Sequence, residues 1–275
     1  MSAVELPAGL GVLVLAEDAP RHVESPRPFV HPLRTPSGVV VSDLRPADHD
    51  WHHGLSLAVS NIRIGDEPDE INLWGGVTWV AGDGYRQLDN NGSQLVESVT
   101  EEHDGVRLRV GWYDAGGRRF LEEERRLTVH EGPTATVLEV VSEWTSQTDR
   151  PLGFGSPTTA GRPGAGYGGL FLRAAPSLEG ARVLAPRGES AEAMGRSEEW
   201  LALVGAGVTI AMRADPENPV APAPWFVRSE GTPMLCAAPF FHEVWTLPPA
   251  ESARWRWQVL VADGELEAEA IGAVW

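Results

Sequence analysis

Apolar residues alternate with polar residues in several segments, and this period of two constrains the fold more than any other feature of the chain. Three segments show it most clearly, 106–112, 208–212 and 255–261, each with Val, Ile, Leu, Met or Trp at every second position. Successive side chains on a β-strand point to opposite faces, so the pattern predicts strands with one buried face. Glycine-containing turns such as Asp104-Gly105 flank these segments and are typical of hairpins.

The turn-forming residues fit the same interpretation. The chain contains 30 glycines and 22 prolines, scattered along its 275 residues, which suits many short strands joined by turns. Only two segments, 190–200 and 265–270, are candidates for a turn or two of helix. No repeat, heptad pattern or linker divides the sequence. We therefore predict an all-β fold, a large antiparallel β-sandwich with few or no helices, and a single domain over residues 1–275.

Composition excludes several classes of function. The formal net charge is −17, which repels phosphate backbones and anionic lipids, so we expect no nucleic-acid or membrane partner. All 22 Lys+Arg residues are arginine, so no lysine amine serves Schiff-base chemistry. The lysine of a P-loop is lacking as well, and we expect no nucleotide cofactor. No apolar run reaches the length of a membrane span, and no secretory signal is recognised. The single Cys236 forms no internal disulfide, and a cytoplasmic location is predicted.

The densest group of titratable residues is the run from Asp48 to Gly54, Asp-His-Asp-Trp-His-His-Gly, which holds three of the eight histidines. On an extended chain His49, Trp51 and His53 would share one face, with His52 opposite. Neutral imidazoles can act as general acid and base near neutral pH. A divalent metal held by His49 and His53 is an alternative, although no established ligand spacing is matched. A structural turn with satisfied histidines is the third possibility.

Further polar candidates lie in four other parts of the sequence. They are His31 and Arg34 beside two prolines, Asn72 and Trp74 in Asn-Leu-Trp-Gly-Gly, Arg162 and Tyr167 in the glycine-rich stretch 155–170, Arg173 just after it, and the adjacent pair His242-Glu243. Arginines can bind sugar oxygens or a carboxylate, and an indole can stack on a pyranose ring. The structural alternatives are a core tryptophan, a strand cap, a core histidine and a surface glutamate.

Four motifs resemble a known family. They are His31-Pro-Leu-Arg-Thr-Pro-Ser-Gly38, Arg45-Pro-Ala-Asp-His-Asp-Trp-His-His-Gly54, Asn72-Leu-Trp-Gly-Gly76 and Ser156-Pro-Thr-Thr-Ala-Gly-Arg162 with Tyr167-Gly-Gly169. They resemble the PmoA-like family of bacterial proteins over most of the chain. The family's "methane oxygenase" label refers to a subunit of a membrane copper enzyme, which a sequence without a membrane span does not fit. Its members tend to be associated with sugar catabolism, so the resemblance implies a carbohydrate-related role.

The order of these elements is similar to that of the galactose-mutarotase-like supersandwich. That fold has an early His-Gly element, a polar element in mid-chain and a carboxylate near the C-terminus, and here His53-Gly54, the stretch 157–167 and Glu243 occupy comparable places. The mid-chain element departs from the mutarotase pattern, because Arg162 and Tyr167 stand where that family has a histidine. The departure disfavours a plain aldose epimerase.

The leading hypothesis is an enzyme that acts on a sugar or sugar derivative by histidine acid/base chemistry in a polar cleft. The predicted catalytic residues are His49, His52, His53, His242 and Glu243. The predicted substrate-binding residues are His31, Arg34, Asp48, Trp51, Asn72, Trp74, Arg162, Tyr167 and Arg173. The alternatives are a non-catalytic sugar-binding module and a metal-dependent lyase or oxygenase. The predicted partner is a small-molecule carbohydrate, and the oligomeric state is left open.

Overall fold

The chain is almost entirely β-structure. The computed structural model describes residues 2–16, 23–132 and 134–275. In chain order its strands are β1 (Ser2–Glu5), β2 (Gly11–Ala16), β3 (Phe29–Leu33), β4 (Leu55–Ala58), β5 (Asn61–Ile64), β6 (Thr78–Val80), β7 (Gly84–Arg86), β8 (Ser93–Glu102), β9 (Gly105–Tyr113), β10 (Arg119–Glu131) and β11 (Ala135–Ser146). They continue with β12 (Leu152–Gly155), β13 (Gly169–Arg173), β14 (Arg182–Ala185), β15 (Gly188–Glu189), β16 (Trp200–Gly205), β17 (Val208–Ala214), β18 (Trp225–Arg228), β19 (Met234–Ala237), β20 (Trp245–Leu247) and β21 (Ser252–Asp263).

Helical structure is confined to three short pieces of the described chain. Two are 3-10 turns, Pro7–Gly9 and Pro176–Leu178, and the third is a five-residue α-helix, α1 (Ala268–Gly272). The predicted C-terminal helix therefore forms a few residues later than expected, whereas the segment 190–200 forms turns and the prediction of a helix there is wrong. No helix in the described ranges is long and apolar enough to cross a membrane.

Two large antiparallel sheets form the sandwich. One has seven strands in the order β1-β2-β3-β4-β13-β19-β18, and the other has nine in the order β15-β14-β16-β17-β21-β11-β10-β9-β8. A three-stranded sheet (β20-β12-β5) and the hairpin β6-β7 complete the described strands. The predicted all-β antiparallel sandwich is confirmed. That residues 1–275 form a single domain stays a prediction.

The core between the two large sheets is built from the alternating residues. In β9 the side chains of Val106, Leu108, Val110 and Trp112 are each at most 1% exposed, and they join one hydrophobic cluster that runs from Leu6 to Val261. The alternating apolar residues at 208–212 in β17 and 255–261 in β21 belong to the same cluster. Removing this apolar surface from water stabilises the sandwich by about 25 cal/mol per Å².

The segment 118–126 carries charged residues on both faces of a strand, a pattern that favours an exposed edge or a solvated face. The structure differs, because β10 pairs with β9 on one side and with β11 on the other. Glu123 and Arg125 point inward and form an ion pair of 2.6 Å, at 0% and 4% side-chain exposure. Trp112 Nε1 and Ser142 Oγ also donate hydrogen bonds to Glu123, at 2.7 and 2.6 Å. These hydrogen bonds compensate for the burial of two charges.

The outer face of the seven-stranded sheet carries a second, aromatic layer. Phe171 on β13 and Cys236 on β19 alternate with core residues and therefore face away from the core. With Trp74, Phe226 and Phe241 they form a separate buried cluster. Of the histidines at 49–53, His52 lies against this layer. Gly54 permits the approach of β3, because a Cβ on Gly54 would lie 2.2 Å from the carbonyl oxygen of Val30.

Candidate functional site

An aspartate, a histidine and an arginine meet at the surface beside this aromatic layer. Asp48 Oδ2 lies 2.8 Å from His49 Nδ1, and Arg173 Nη2, at the end of β13, donates to Asp48 Oδ1 at 3.2 Å. The side chains of His49 and Asp48 are 35% and 40% exposed, whereas that of Arg173 is only 5% exposed. Partial burial opposes ionisation of Asp48, but the hydrogen bond with His49 and the charge of Arg173 outweigh it and lower the pKa of Asp48.

This geometry suits acid/base chemistry. In the neutral tautomer with its proton on Nδ1, His49 donates a hydrogen bond to the Asp48 carboxylate, and its Nε2 is left to take up a proton and later release it. The ion pair with Arg173 fixes the carboxylate. The structure therefore brings together three predicted site residues, one catalytic and two substrate-binding.

His52 lies directly beneath His49. The two imidazole rings are stacked, with centroids 4.7 Å apart and planes at 19°. Below, His52 contacts Phe171 and Trp74 at centroid distances of 4.9 and 5.6 Å. Its Nδ1 is buried and has no hydrogen-bond partner within the described part of the chain. Burial, with the charges of His49 and Arg173, places the pKa of His52 well below its usual value.

The turn corrects the expected arrangement of the histidines. His49 N bonds to Pro46 O and His52 N to His49 O, each at 3.0 Å, so the chain is coiled here rather than extended. Residues three apart therefore stack, and the prediction that His49, Trp51 and His53 share one face with His52 opposite is wrong.

His53 belongs to a buried ionic group instead. Its ring contacts Phe29 at a centroid distance of 4.9 Å, and its Nε2 lies 3.2 Å from Glu24 Oε2. Glu24 would favour a protonated His53, but it also accepts two hydrogen bonds from Arg45, at 2.6 and 2.7 Å. Burial, followed by the charges of Arg27 and Arg45, lowers the pKa of His53 to about 2. His53 is therefore neutral at physiological pH.

The two predicted metal ligands, His49 and His53, do not lie together in the structure. His49 is at the surface beside Asp48, whereas His53 faces Glu24 in the interior. Across the described ranges, no three His, Cys, Asp or Glu side chains are grouped so that they could hold a metal ion.

The Asn-Leu-Trp-Gly-Gly motif supports Trp51. Asn72 Oδ1 accepts hydrogen bonds from the backbone N–H groups of Trp74 and Gly75, at 2.9 and 3.0 Å. Gly75 and Gly76 adopt φ of +92° and +67°. A Cβ on Gly76 would lie 2.3 Å from Cε2 of Trp51, so only glycine lets the backbone pass this close to the indole. The amide of Asn72 is thus occupied in shaping a turn that holds the half-buried Trp51.

The glycine-rich stretch adjoins the same layer. The rings of Trp74 and Tyr167 lie 4.6 Å apart, and Tyr167 Oη is 3.0 Å from Tyr85 Oη. Arg162 donates to Tyr85 Oη at 2.7 Å. Burial and then Tyr85 raise the pKa of Tyr167 well above its usual value. Trp74 is 4% exposed, so its ring packs inside the protein and offers no open face to a sugar.

Four predicted residues make other contacts. The half-buried His31 bonds to Ser42 Oγ at 2.9 Å, and burial lowers the pKa of its imidazole. Arg34 donates to a neighbouring carbonyl at 3.3 Å. His242 Nε2 lies 2.7 Å from a carbonyl of the loop after β15, and Glu243 is exposed. The structure places none of the four in contact with the Asp48–His49 pair.

Residues 11–275 match a family of unknown function, DUF6807. The chain belongs to DUF6807. The comparison with curated proteins gives no match for it.

Similar solved structures include the GH36 α-galactosidase AgaA of Geobacillus stearothermophilus in complex with stachyose, which is 15% identical to this chain at a TM-score of 0.37. The match covers 83% of this chain and 29% of that one. An α-galactosidase of Lactobacillus brevis is 9% identical at a TM-score of 0.41, with 93% and 38% covered. The DUF6807 chain thus spans 29% and 38% of the length of these two proteins. A galactose mutarotase related enzyme of Lactobacillus acidophilus is 10% identical at a TM-score of 0.44, with 97% and 99% covered.

Arg27 was not predicted as a site residue, yet its hydrogen bonds join the segments that surround the candidate site of this DUF6807 protein. Arg27 is 4% exposed. It donates hydrogen bonds to Ser56 Oγ and to the carbonyl oxygens of Ser25, Trp51 and Trp74, at 2.9 to 3.1 Å. Burial lowers its pKa to about 9. Its partners are far apart in sequence, so the only local signal was a charged residue between two prolines in an otherwise apolar segment.

A cavity of about 650 Å³ lies elsewhere on the DUF6807 chain, between β5, the hairpin β6-β7 and the turn after β9. Its polar lining includes Arg63, Glu67, Glu70, Asp114 and Arg118, and Trp79 supplies an aromatic side chain. Among the described residues that line it, none is a predicted site residue.

Proposed function

We propose that this protein is an enzyme that acts on a sugar or sugar derivative, with His49 as the general acid/base. The observation that carries the proposal is the 2.8 Å contact between His49 Nδ1 and Asp48, itself held by Arg173. His49 is the partly exposed member of the stacked pair of histidines, so it is the imidazole that a substrate can reach.

The position of Trp51 favours a substrate with a sugar ring. Its indole is half-buried, contacts the His49 ring edge-on at a centroid distance of 5.2 Å, and is backed by Gly76. An indole held in this way can stack on the apolar face of a pyranose beside the imidazole. Arg173 would keep its ion pair with Asp48 during the reaction. The resemblance of the motifs to the PmoA-like family, associated with sugar catabolism, is the reason for choosing a sugar.

The test is a substrate screen followed by matched variants. Neutral sugars, sugar lactones and uronic acids are incubated with the protein, and product formation is followed by proton NMR. On the sugar that turns over, His49→Gln should lower kcat by about 10² to 10⁴, the usual contribution of a general acid or base. Asp48→Asn should lower kcat with little change in KM. Trp51→Ala should mainly raise KM.

His103→Gln is the matched control, because His103 is an exposed histidine in the β8-β9 turn. It should keep wild-type kcat. Wild-type turnover by His49→Gln would contradict the proposal. Sugar binding without product in any incubation would support the binding module. Stoichiometric metal in the purified protein, with activity lost to a chelator, would support the metal-dependent lyase or oxygenase.

A further inference from the structure

The cavity between β5, the hairpin β6-β7 and the turn after β9 has the dimensions of a ligand site. Its volume is about 650 Å³, within the range of roughly 300 to 1,000 Å³ typical of small-molecule sites. None of the residues assigned to acid/base chemistry lines it. We propose that this cavity is a second, non-catalytic binding site for an uncharged saccharide.

Donors and acceptors in the lining are held in fixed positions. Arg63 donates twice to Glu70 Oε1, at 2.9 and 2.6 Å. Arg118 donates to both oxygens of Glu67, at 3.0 and 2.7 Å, and to Asp114 at 2.9 Å. The hydrogen bonds from Arg118 lower the pKa of Glu67, which therefore stays an acceptor. Sugar hydroxyls donate and accept at once, so they match alternating guanidinium and carboxylate groups.

Trp79 provides an apolar wall in a fixed orientation. Its ring lies 5.3 Å from that of Tyr85, and the Arg162 guanidinium lies 5.8 Å from its centroid. These two contacts fix the orientation of the indole. Ile71 and Leu88 extend the apolar lining of the cavity. A wall of this kind beside polar groups suits the two-sided chemistry of a pyranose, which has apolar C–H faces and a polar rim.

Charge decides which saccharides fit. The lining holds five carboxylates and two guanidinium groups, and the whole chain has a formal charge of −17. A net negative cavity repels sugar phosphates and uronic acids. The ligand class is therefore an uncharged mono- or disaccharide.

Binding is measured by saturation-transfer NMR and calorimetry, with maltose, lactose and sucrose as neutral probes and glucose 6-phosphate and galacturonate as anionic probes. We expect at least one neutral probe to bind and both anions to fail. Trp79→Ala should weaken binding by about tenfold or more. Ala115→Trp, at an exposed turn position on the rim, should also abolish it by filling the cavity while the fold is kept.

Ala273→Trp is the control for the added indole, because Ala273 is likewise an exposed turn residue but lies next to α1. It should bind the probe as the wild type does. Binding should also persist in Trp51→Ala, which removes the proposed stacking surface beside His49 and so separates this site from the proposed catalytic one. The inference is overturned if no neutral probe binds, if the anions bind equally well, or if Ala115→Trp leaves binding unchanged.

Discussion

The imidazole of His49 lies on that of His52, with centroids 4.7 Å apart. One ring reaches solvent and pairs with Asp48, whereas the other is buried among aromatic side chains. Two stacked imidazolium ions would repel each other, and burial already disfavours a charge on His52. The stack therefore combines a buried, neutral ring, His52, with a partly exposed ring, His49, to which we assign the acid/base role in the proposed function.

The buried histidines predict a loss of stability in mild acid. The folded pKa of His53 is about 2 and that of His52 is also lowered, from 6.5 in both cases. Between pH 6.5 and the folded pKa, the unfolded chain binds a proton that the folded chain does not. Stability should therefore fall as pH drops below about 6.5, by about 1.4 kcal/mol per pH unit for each histidine. Urea unfolding at several pH values between 7.5 and 5 measures this change in the free energy of unfolding.

Two variants separate this effect from general acid sensitivity. His53→Phe should reduce the slope of the unfolding free energy against pH by about one proton, because the group that titrates on unfolding is gone. His103→Phe makes the same change at an exposed turn and should leave the slope as it is in the wild type. Equal slopes in all three proteins would show that His53 is not held neutral by the fold.

The buried ion pair in β10 gives a second prediction. Arg125→Met leaves Glu123 as a buried charge that, among the described residues, keeps the neutral donors Trp112 Nε1 and Ser142 Oγ. The substitution should cost about 3 to 5 kcal/mol of unfolding free energy. Arg107→Met, on the neighbouring strand, removes an arginine that is 46% exposed and paired to surface glutamates, so it should cost less than about 1 kcal/mol. Denaturant titrations of both variants at neutral pH compare the two costs, and similar losses would refute the assignment.

The sequence predicted the strands well because burial on one face imposes a period of two, which is visible in β9, β17 and β21 without any tertiary information. It failed where charge occupies both faces. In β10 both faces carry charged residues, so the alternation does not show whether Glu123 and Arg125 or their neighbours face the core. The side chains that hydrogen-bond to this buried pair come from other strands and are Gln94, Trp112 and Ser142.

The candidate site was predicted as a group of residues but not as a geometry. An extended chain places residues two apart on one face, whereas the hydrogen-bonded turn at Pro46 stacks His49 on His52. Arg173 meets Asp48 only through the pairing of β13 with β4. Contacts of this kind depend on strand order, which local sequence does not encode.

The last prediction concerns the glycine behind Trp51. Both Gly76 and Gly207 adopt positive φ, +67° and +74°, so alanine at either position is strained by about 1 to 2 kcal/mol. At Gly207 an added Cβ meets nothing within 4 Å, whereas at Gly76 it would lie 2.3 Å from the indole of Trp51. Gly76→Ala should therefore cost a further 1 to 3 kcal/mol or so by overpacking.

The displacement of the indole should also be visible directly. In proton NMR the indole N–H resonance of Trp51, assigned from Trp51→Phe, should shift in Gly76→Ala and keep its wild-type position in Gly207→Ala. On a sugar that the wild type converts, Gly76→Ala should raise KM, because Trp51 is the proposed stacking surface. An unmoved resonance and an equal loss of stability in the two alanine variants would mean that Gly76 does not position Trp51.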